Sequence, residues 1–160
     1  MDEVLDGDSW FAGTDWVYKY DDPRSFGQGD LTLQGEYMYR HKDLRVVSSP
    51  DLARLGLAQG AAQDGLYVQG VYGFAPRWTT GLRFDTAGLI NKVKETDTAE
   101  QSLASIQRYS ANLTWNPTEF SRFRLQYNTG RLPLDGGKEA YNQVYLQYQL
   151  SLGAHGAHAF

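Results

Sequence analysis

The chain has 160 residues, 41% of them hydrophobic and 14% aromatic, with no cysteine and a net charge of −4. Without cysteine, neither a disulfide framework nor a thiolate metal site can form. Its 15 basic residues are spread thinly against 19 acidic ones, which leaves no concentrated basic face for nucleic acid. No run of about 18 apolar residues offers a transmembrane helix. The opening "MDEVLDGDSW" has neither the basic start nor the apolar stretch of a signal peptide.

Alternation of period two, the mark of a strand with one apolar and one polar face, occurs seven times. Strand one, about 9–20, sets Trp10, Ala12, Trp16, Tyr18 and Tyr20 against Gly13, Asp15 and Lys19. Strand two, about 30–40, sets Leu31, Leu33, Tyr37 and Tyr39 against Thr32, Gln34, Glu36 and Arg40. Strand three, about 65–75, and strand four, about 77–86, carry Leu66, Val68, Tyr72 and Phe74, then Trp78, Leu82 and Phe84. Their other faces carry Tyr67 and Gln69, then Thr79, Arg83 and Asp85. Strand five, about 107–115, sets Tyr109, Ala111, Leu113 and Trp115 against Arg108, Ser110, Asn112 and Thr114. Strand six, about 121–128, sets Phe123, Leu125 and Tyr127 against Arg122, Arg124, Gln126 and Asn128. Strand seven, about 144–152, carries Val144, Leu146, Tyr148, Leu150 and Leu152, and the chain stops on Phe160 in the same phase. Phe11, Val17, Met38 and Val71 interrupt the polar faces without breaking the phase. In "SPDLARLGL", Ser49 is placed to cap a short helical turn that Pro50 begins.

These connections predict an all-β, antiparallel up-and-down meander of about seven strands in a single domain, 1–160. Short joins ("DDPRSFGQG", "APR", "NPTEF") alternate with the long segments 41–64, 87–106 and 129–140. Short turns at one end and long loops at the other are the layout of outer-membrane barrels, whose long loops are extracellular. Strands of about ten residues, tilted about 45°, also match the roughly 25 Å apolar band of such barrels. Trp10, Tyr18, Tyr20, Tyr39, Phe74, Trp78, Trp115 and Phe123 fall near strand ends on the apolar face, where a membrane girdle sits. Asp15, Lys19, Glu36, Arg40, Arg83, Asp85, Arg108, Arg122 and Arg124 lie on the opposite face and are expected to line a polar lumen. There the acid–base pairs Asp15/Lys19, Glu36/Arg40 and Arg83/Asp85 either satisfy one another or bias solute selection. Periodicity alone also allows the inverse barrel, a soluble lipocalin-like one that encloses a hydrophobic ligand.

"NPTEFSRFRLQYN" (116–128) followed by "NQVYLQYQLSLGAHGAHAF" (142–160) resembles the C-terminal end of a proteobacterial family labelled zinc-regulated or TonB-dependent outer-membrane receptors. "LTLQGEYMYR" (31–40) is similar to the corresponding upstream strand. The resemblance covers most of the chain. It implies a porin-like or receptor-like transport barrel in the bacterial outer membrane, in contact with outer-membrane lipid. In that class a terminal aromatic such as Phe160 is read by the barrel-assembly machinery. Its members carry a longer N-terminal portion with a signal peptide and further strands.

Strand parity leads to the same expectation. First and last strands of a seven-strand meander run the same way, so an antiparallel barrel cannot close. The chain is therefore expected to be the C-terminal part of a larger barrel, partnered by missing N-terminal strands. A non-functional remnant with aggregating edges is the other reading of an open sheet. Residues 1–8 are too acidic and glycine-broken to supply an eighth membrane strand. No catalytic set is expected, since none of the three histidines stands on a strand beside a candidate serine. His155 and His158 are the weak metal candidates; spaced three apart, they would face opposite sides of a strand, and zinc wants three or four ligands. His41 reads as a solvated residue, and no cofactor is expected.

Overall fold

The computed structural model describes residues 3–96, 98–134 and 137–152. His155, His158 and Phe160 lie outside the described residues. The strands are β1 (Val4–Tyr20), β2 (Leu31–Ser48), β3 (Ala58–Ala75), β4 (Trp78–Glu95), the two-residue β5 (Gln101–Ser102), β6 (Ile106–Thr118), β7 (Ser121–Leu134) and β8 (Gly137–Leu150). All pair antiparallel in one sheet ordered β1-β2-β3-β4-β6-β7-β8, with β5 attached to β4. The meander is as expected, and the sheet is not closed. β1 and β8 are its edges and run in the same direction.

The strands are longer than the alternation predicts. Segments 41–64, 87–106 and 129–140 are mostly strand, not loop, because β2, β3, β4, β7 and β8 continue well past their apolar residues. Residues 4–8 likewise extend β1. Backbone pairing holds these polar extensions, as in the register from His41↔Ala62 to Arg45↔Ala58. The expected contrast of loop lengths is thus replaced by a contrast of strand overhang, and 21–30, expected as a short join, is among the longer connections. At residues 49–57 the cap is Asp51, not Ser49. The Asp51 carboxylate accepts the Ala53 N–H at 3.0 Å ahead of a 3-10 turn, Leu52–Arg54. The Ser49 hydroxyl instead accepts the Asp51 N–H.

The sheet has no second layer. Val46 is the one buried hydrophobic residue among those described. The accessible surface is 11453 Å², against about 8000 Å² for an ordinary folded monomer of this mass. A single sheet of this kind keeps one face apolar and unpacked.

Candidate functional site: a sheltered polar face and an oblique apolar band

Register places the residues by face. One row of paired residues runs Tyr20–Leu31–Tyr72–Thr80–Leu113–Leu125–Leu146 across the whole sheet. Every expected girdle residue lies on that apolar face, together with Trp16, so all four tryptophans of the chain share it. Near the end that holds the β3–β4 and β6–β7 turns, the rings form a continuous file. Phe74–Trp78, Trp78–Trp115, Trp115–Phe123 and Phe123–Tyr148 have centroids 6.4, 5.7, 5.7 and 4.7 Å apart. At the other end, Trp10 meets Tyr39 at 5.4 Å and Phe84 meets Tyr109 at 5.0 Å. Tyr109, Tyr148 and Phe84 join these ring contacts beside the eight aromatic residues the sequence suggests.

The apolar band does not follow the hydrogen-bond rows. Its upper edge is Trp10, Tyr39, Leu66, Phe84, Tyr109, Tyr127 and Val144 in sheet order. At four of the six pairings, the edge residue faces the first polar residue of its neighbour: Trp10↔His41, Tyr39↔Asp64, Leu66↔Thr86 and Tyr109↔Thr129. The remaining two are level, Phe84↔Tyr109 and Tyr127↔Val144. Each step drops the band by two residues, about 1.3 residues per strand. With about 3.3 Å rise and about 4.8 Å strand spacing, strands must tilt about 40° for such a band to lie flat. That is the tilt of strands in closed barrels. At this tilt, Trp10–Tyr20 on β1 and Val144–Leu152 beyond β8 span about 20–25 Å of height.

Shelter distinguishes the faces on two strands. Along β6 the apolar Tyr109, Ala111, Leu113 and Trp115 are exposed, while Ser110, Asn112, Thr114 and Asn116 are partly or fully buried. Along β7, Phe123, Leu125 and Tyr127 are exposed, and Arg124, Gln126, Asn128 and Gly130 are sheltered. On β6 and β7 the polar face is thus the more sheltered one, while on β1 both faces are exposed.

All nine expected lumen residues lie on the polar face, where Glu36, Arg83, Asp85 and Arg124 are partly buried and the other five are exposed. Asp85 is their centre. Its Oδ1 lies 2.7 Å from Arg83 Nη2 and 3.1 Å from Arg108 Nη2. The Arg83 guanidinium lies 3.9 Å above the Tyr67 ring and donates to Gln69 Oε1. The other two expected pairs do not form among the described residues. Asp15 stands opposite Glu36, a like-charge cross-strand pair, and Arg40 donates to Ser9 Oγ at 3.2 Å. Arg122 and Arg124 have no carboxylate partner there; they donate to Asn116 Oδ1 and Thr114 Oγ1. Lys19 pairs across from Thr32. His41 is not merely solvated: its Nε2 is 3.1 Å from Asp43 Oδ2 and its ring lies 5.7 Å from Trp10. No group of three or more metal-ligating side chains occurs among the described residues.

Asp64 escapes sequence reading. It is nearly buried on the apolar face, where β3 sets one residue against 88–90 of β4 and Gly88 takes φ 84°. The carboxylate accepts the Ile90 N–H at 2.8 Å and the Tyr37 hydroxyl at 3.2 Å. It thereby holds a bulge at the band's upper edge. Only the register reveals this, since a lone acid in strand phase carries no mark of it.

No protein-family model matches the chain, and no solved structure matches it significantly. It is 34% identical over 133 residues to an uncharacterized protein of Aquifex aeolicus (strain VF5). The match takes in 81% of this chain and 27% of that relative, so the chain spans about a quarter of the relative's length.

Proposed function

We propose that this chain is part of a transport barrel of the bacterial outer membrane, receptor-like or porin-like, whose polar lumen passes small solutes or metal ions. The observation that carries the reading is the exposed apolar band, edged by aromatic rings and oblique to the hydrogen-bond rows by the tilt of a closed barrel. The exposed apolar residues of β6 and β7, beside sheltered polar ones, support it, because only lipid leaves an apolar face of this size unpacked at no cost. β1 and β8 run in parallel. An odd number of further strands, from the rest of a longer protein, therefore joins these edges. The greater length of the relative agrees. Lipid covers the band, assembly uses the barrel-assembly machinery, and the resemblance to zinc-regulated receptors makes metal ions one candidate solute. The chain carries no enzymatic role.

The test uses the full-length protein in lipid bilayers, with single cysteines at neighbouring positions on opposite faces. Spin labels at Leu146→Cys and Leu82→Cys should be more accessible to oxygen, and labels at Gln147→Cys and Asn112→Cys to a water-soluble nickel chelate. Equal accessibility on both faces, or a folded protein that stays soluble without detergent, would refute the reading.

A further inference from the structure

Two neighbouring rows of the polar face differ sharply in chemistry. One runs Asp15–Glu36–Tyr67–Asp85–Arg108–Gly130–Tyr141. The next, toward the overhanging strands, runs Gly13–Met38–Gly65–Ala87–Ile106, continues on β7 with Leu132 and ends on β8 with Glu139. From β1 to β7 this second row is uncharged, small and apolar, directly against a charged one, and the polarity of the face gives no folding reason for it. Met38 is the one residue of the row that alternation flags as out of place.

An open depression of about 490 Å³ straddles the two rows between β2 and β8. Met38, Ala87, Ile106 and Leu132 form its apolar shelf, and Arg108 and Tyr141 stand on its charged side. Two guanidinium groups share the single Asp85 carboxylate. The Asp85 side chain is 19% exposed and that of Arg108 44%, so Arg108 is the more exposed charge of this pair. Nε and Nη2 of Arg108 are engaged by Asp85, which leaves Nη1 to a ligand. A guanidinium edge of this kind suits a carboxylate. Glu36 lines the β2 end of the same depression and would repel an anion bound the other way round.

We propose that this depression binds a small amphiphilic organic anion: a monocarboxylate whose head group meets Arg108 and Tyr141 and whose aliphatic or aromatic body lies on the Met38–Ile106–Leu132 shelf. The role of the site in passage rests on the reading of the polar face as a lumen. Binding itself rests on the two rows.

The experiment titrates the full-length protein with benzoate, in detergent or in plain buffer as its solubility dictates, by calorimetry and saturation-transfer NMR. Acetate lacks the apolar body and benzylamine reverses the charge. Benzoate should bind saturably, acetate at least tenfold more weakly, and benzylamine without saturation. Arg108→Gln and Ile106→Thr should each weaken benzoate at least tenfold. Comparable binding of benzylamine, or of acetate, would overturn the proposal with no variant needed. So would undiminished benzoate binding by either variant when its circular dichroism is unchanged. The two readings fail separately: a protein soluble without detergent that binds benzoate refutes the membrane reading alone, and a detergent-requiring barrel blind to benzoate refutes this one alone.

Discussion

The Arg77 guanidinium carbon lies 4.6 Å from the centre of the Phe26 ring. These are the two non-glycine residues with positive φ among those described, at 66° and 59°. Arg77 follows Pro76 in the two-residue turn between β3 and β4, and type II turns take a positive φ at this second central position. Its N–H donates to Phe26 O at 2.9 Å, its carbonyl accepts the Asn116 N–H at 2.9 Å, and its guanidinium also donates to Pro117 O. One strained residue thus joins its own turn, the 21–30 connection and the end of β6 at the same end of the sheet.

Two substitutions separate strain from joining at this point. Left-handed backbone costs a non-glycine residue about 1–2 kcal/mol. The cation–π contact contributes about 0.5–1 kcal/mol and the hydrogen bond about 0.5–1.5 kcal/mol. Arg77→Gly should therefore shift unfolding in urea by less than about 1 kcal/mol. Arg77→Lys keeps the strain and loses the planar contact, so it should destabilise by about 1 kcal/mol. If lysine proves the milder change, the joining role is wrong.

Gly73 exchanges backbone bonds with the first connection: its carbonyl accepts the Gly29 N–H at 2.6 Å and its N–H donates to Asp30 O at 2.9 Å. A Cβ built there would lie 1.8 Å from Gly27 O. Backbone would have to move, so Gly73→Ala should cost about 1–3 kcal/mol by the same urea titration. Gly56→Ala is the control, with no atom near its Cβ but a φ of 79°; it should show only the strain of that φ, about 1 kcal/mol. A Gly73 variant as stable as wild type would mean the connection does not pack on β3.

The strands' phase was legible because two-residue alternation survives wherever one face meets a different medium. Their ends were not. In "HKDLRVVS" and "AQGAAQD" the alternation fades, yet backbone pairing continues because a neighbouring strand is already in register. The charge pairs divide for a reason of length. Residues two apart on one face are about 6.7 Å apart, within reach of Arg83 and Asp85; residues four apart, as Asp15/Lys19 and Glu36/Arg40, are about 13 Å apart. Asp51 took the cap from Ser49 because the turn begins two residues later than Pro50 suggested. The step of the band from strand to strand is invisible in any single strand, since it exists only in the register between them.

Asp64 offers a test of the bulge at the band's edge. Asp64→Ala removes the acceptor of both the Ile90 N–H and the Tyr37 hydroxyl, and should cost about 2–4 kcal/mol in urea unfolding. Asp64→Asn retains a carbonyl for Ile90 and should cost about 1 kcal/mol. Equal losses for the two would show that the carboxylate's charge, and not its hold on the bulge, matters there.

The connection at 21–30 carries a pH dependence of known sign. Asp22 receives Arg24 Nε at 2.7 Å, Arg24 Nη2 at 3.0 Å and the Arg24 backbone N–H at 3.0 Å. The Arg24 side chain, and then its backbone N–H, hold the Asp22 carboxyl below its ordinary value of 3.8. A carboxylate with a depressed folded pKa adds stability that is complete above the unfolded value and lost as pH falls through the folded one. The Arg24 Nε–H proton should therefore keep its shifted NMR resonance at pH 5 and move toward the free-arginine position below pH 3.8. In Asp22→Asn that resonance should start near the free position and stay there. A midpoint above 3.8 in the wild type would mean that the carboxyl is not held by Arg24, and the local order of this connection would need another source.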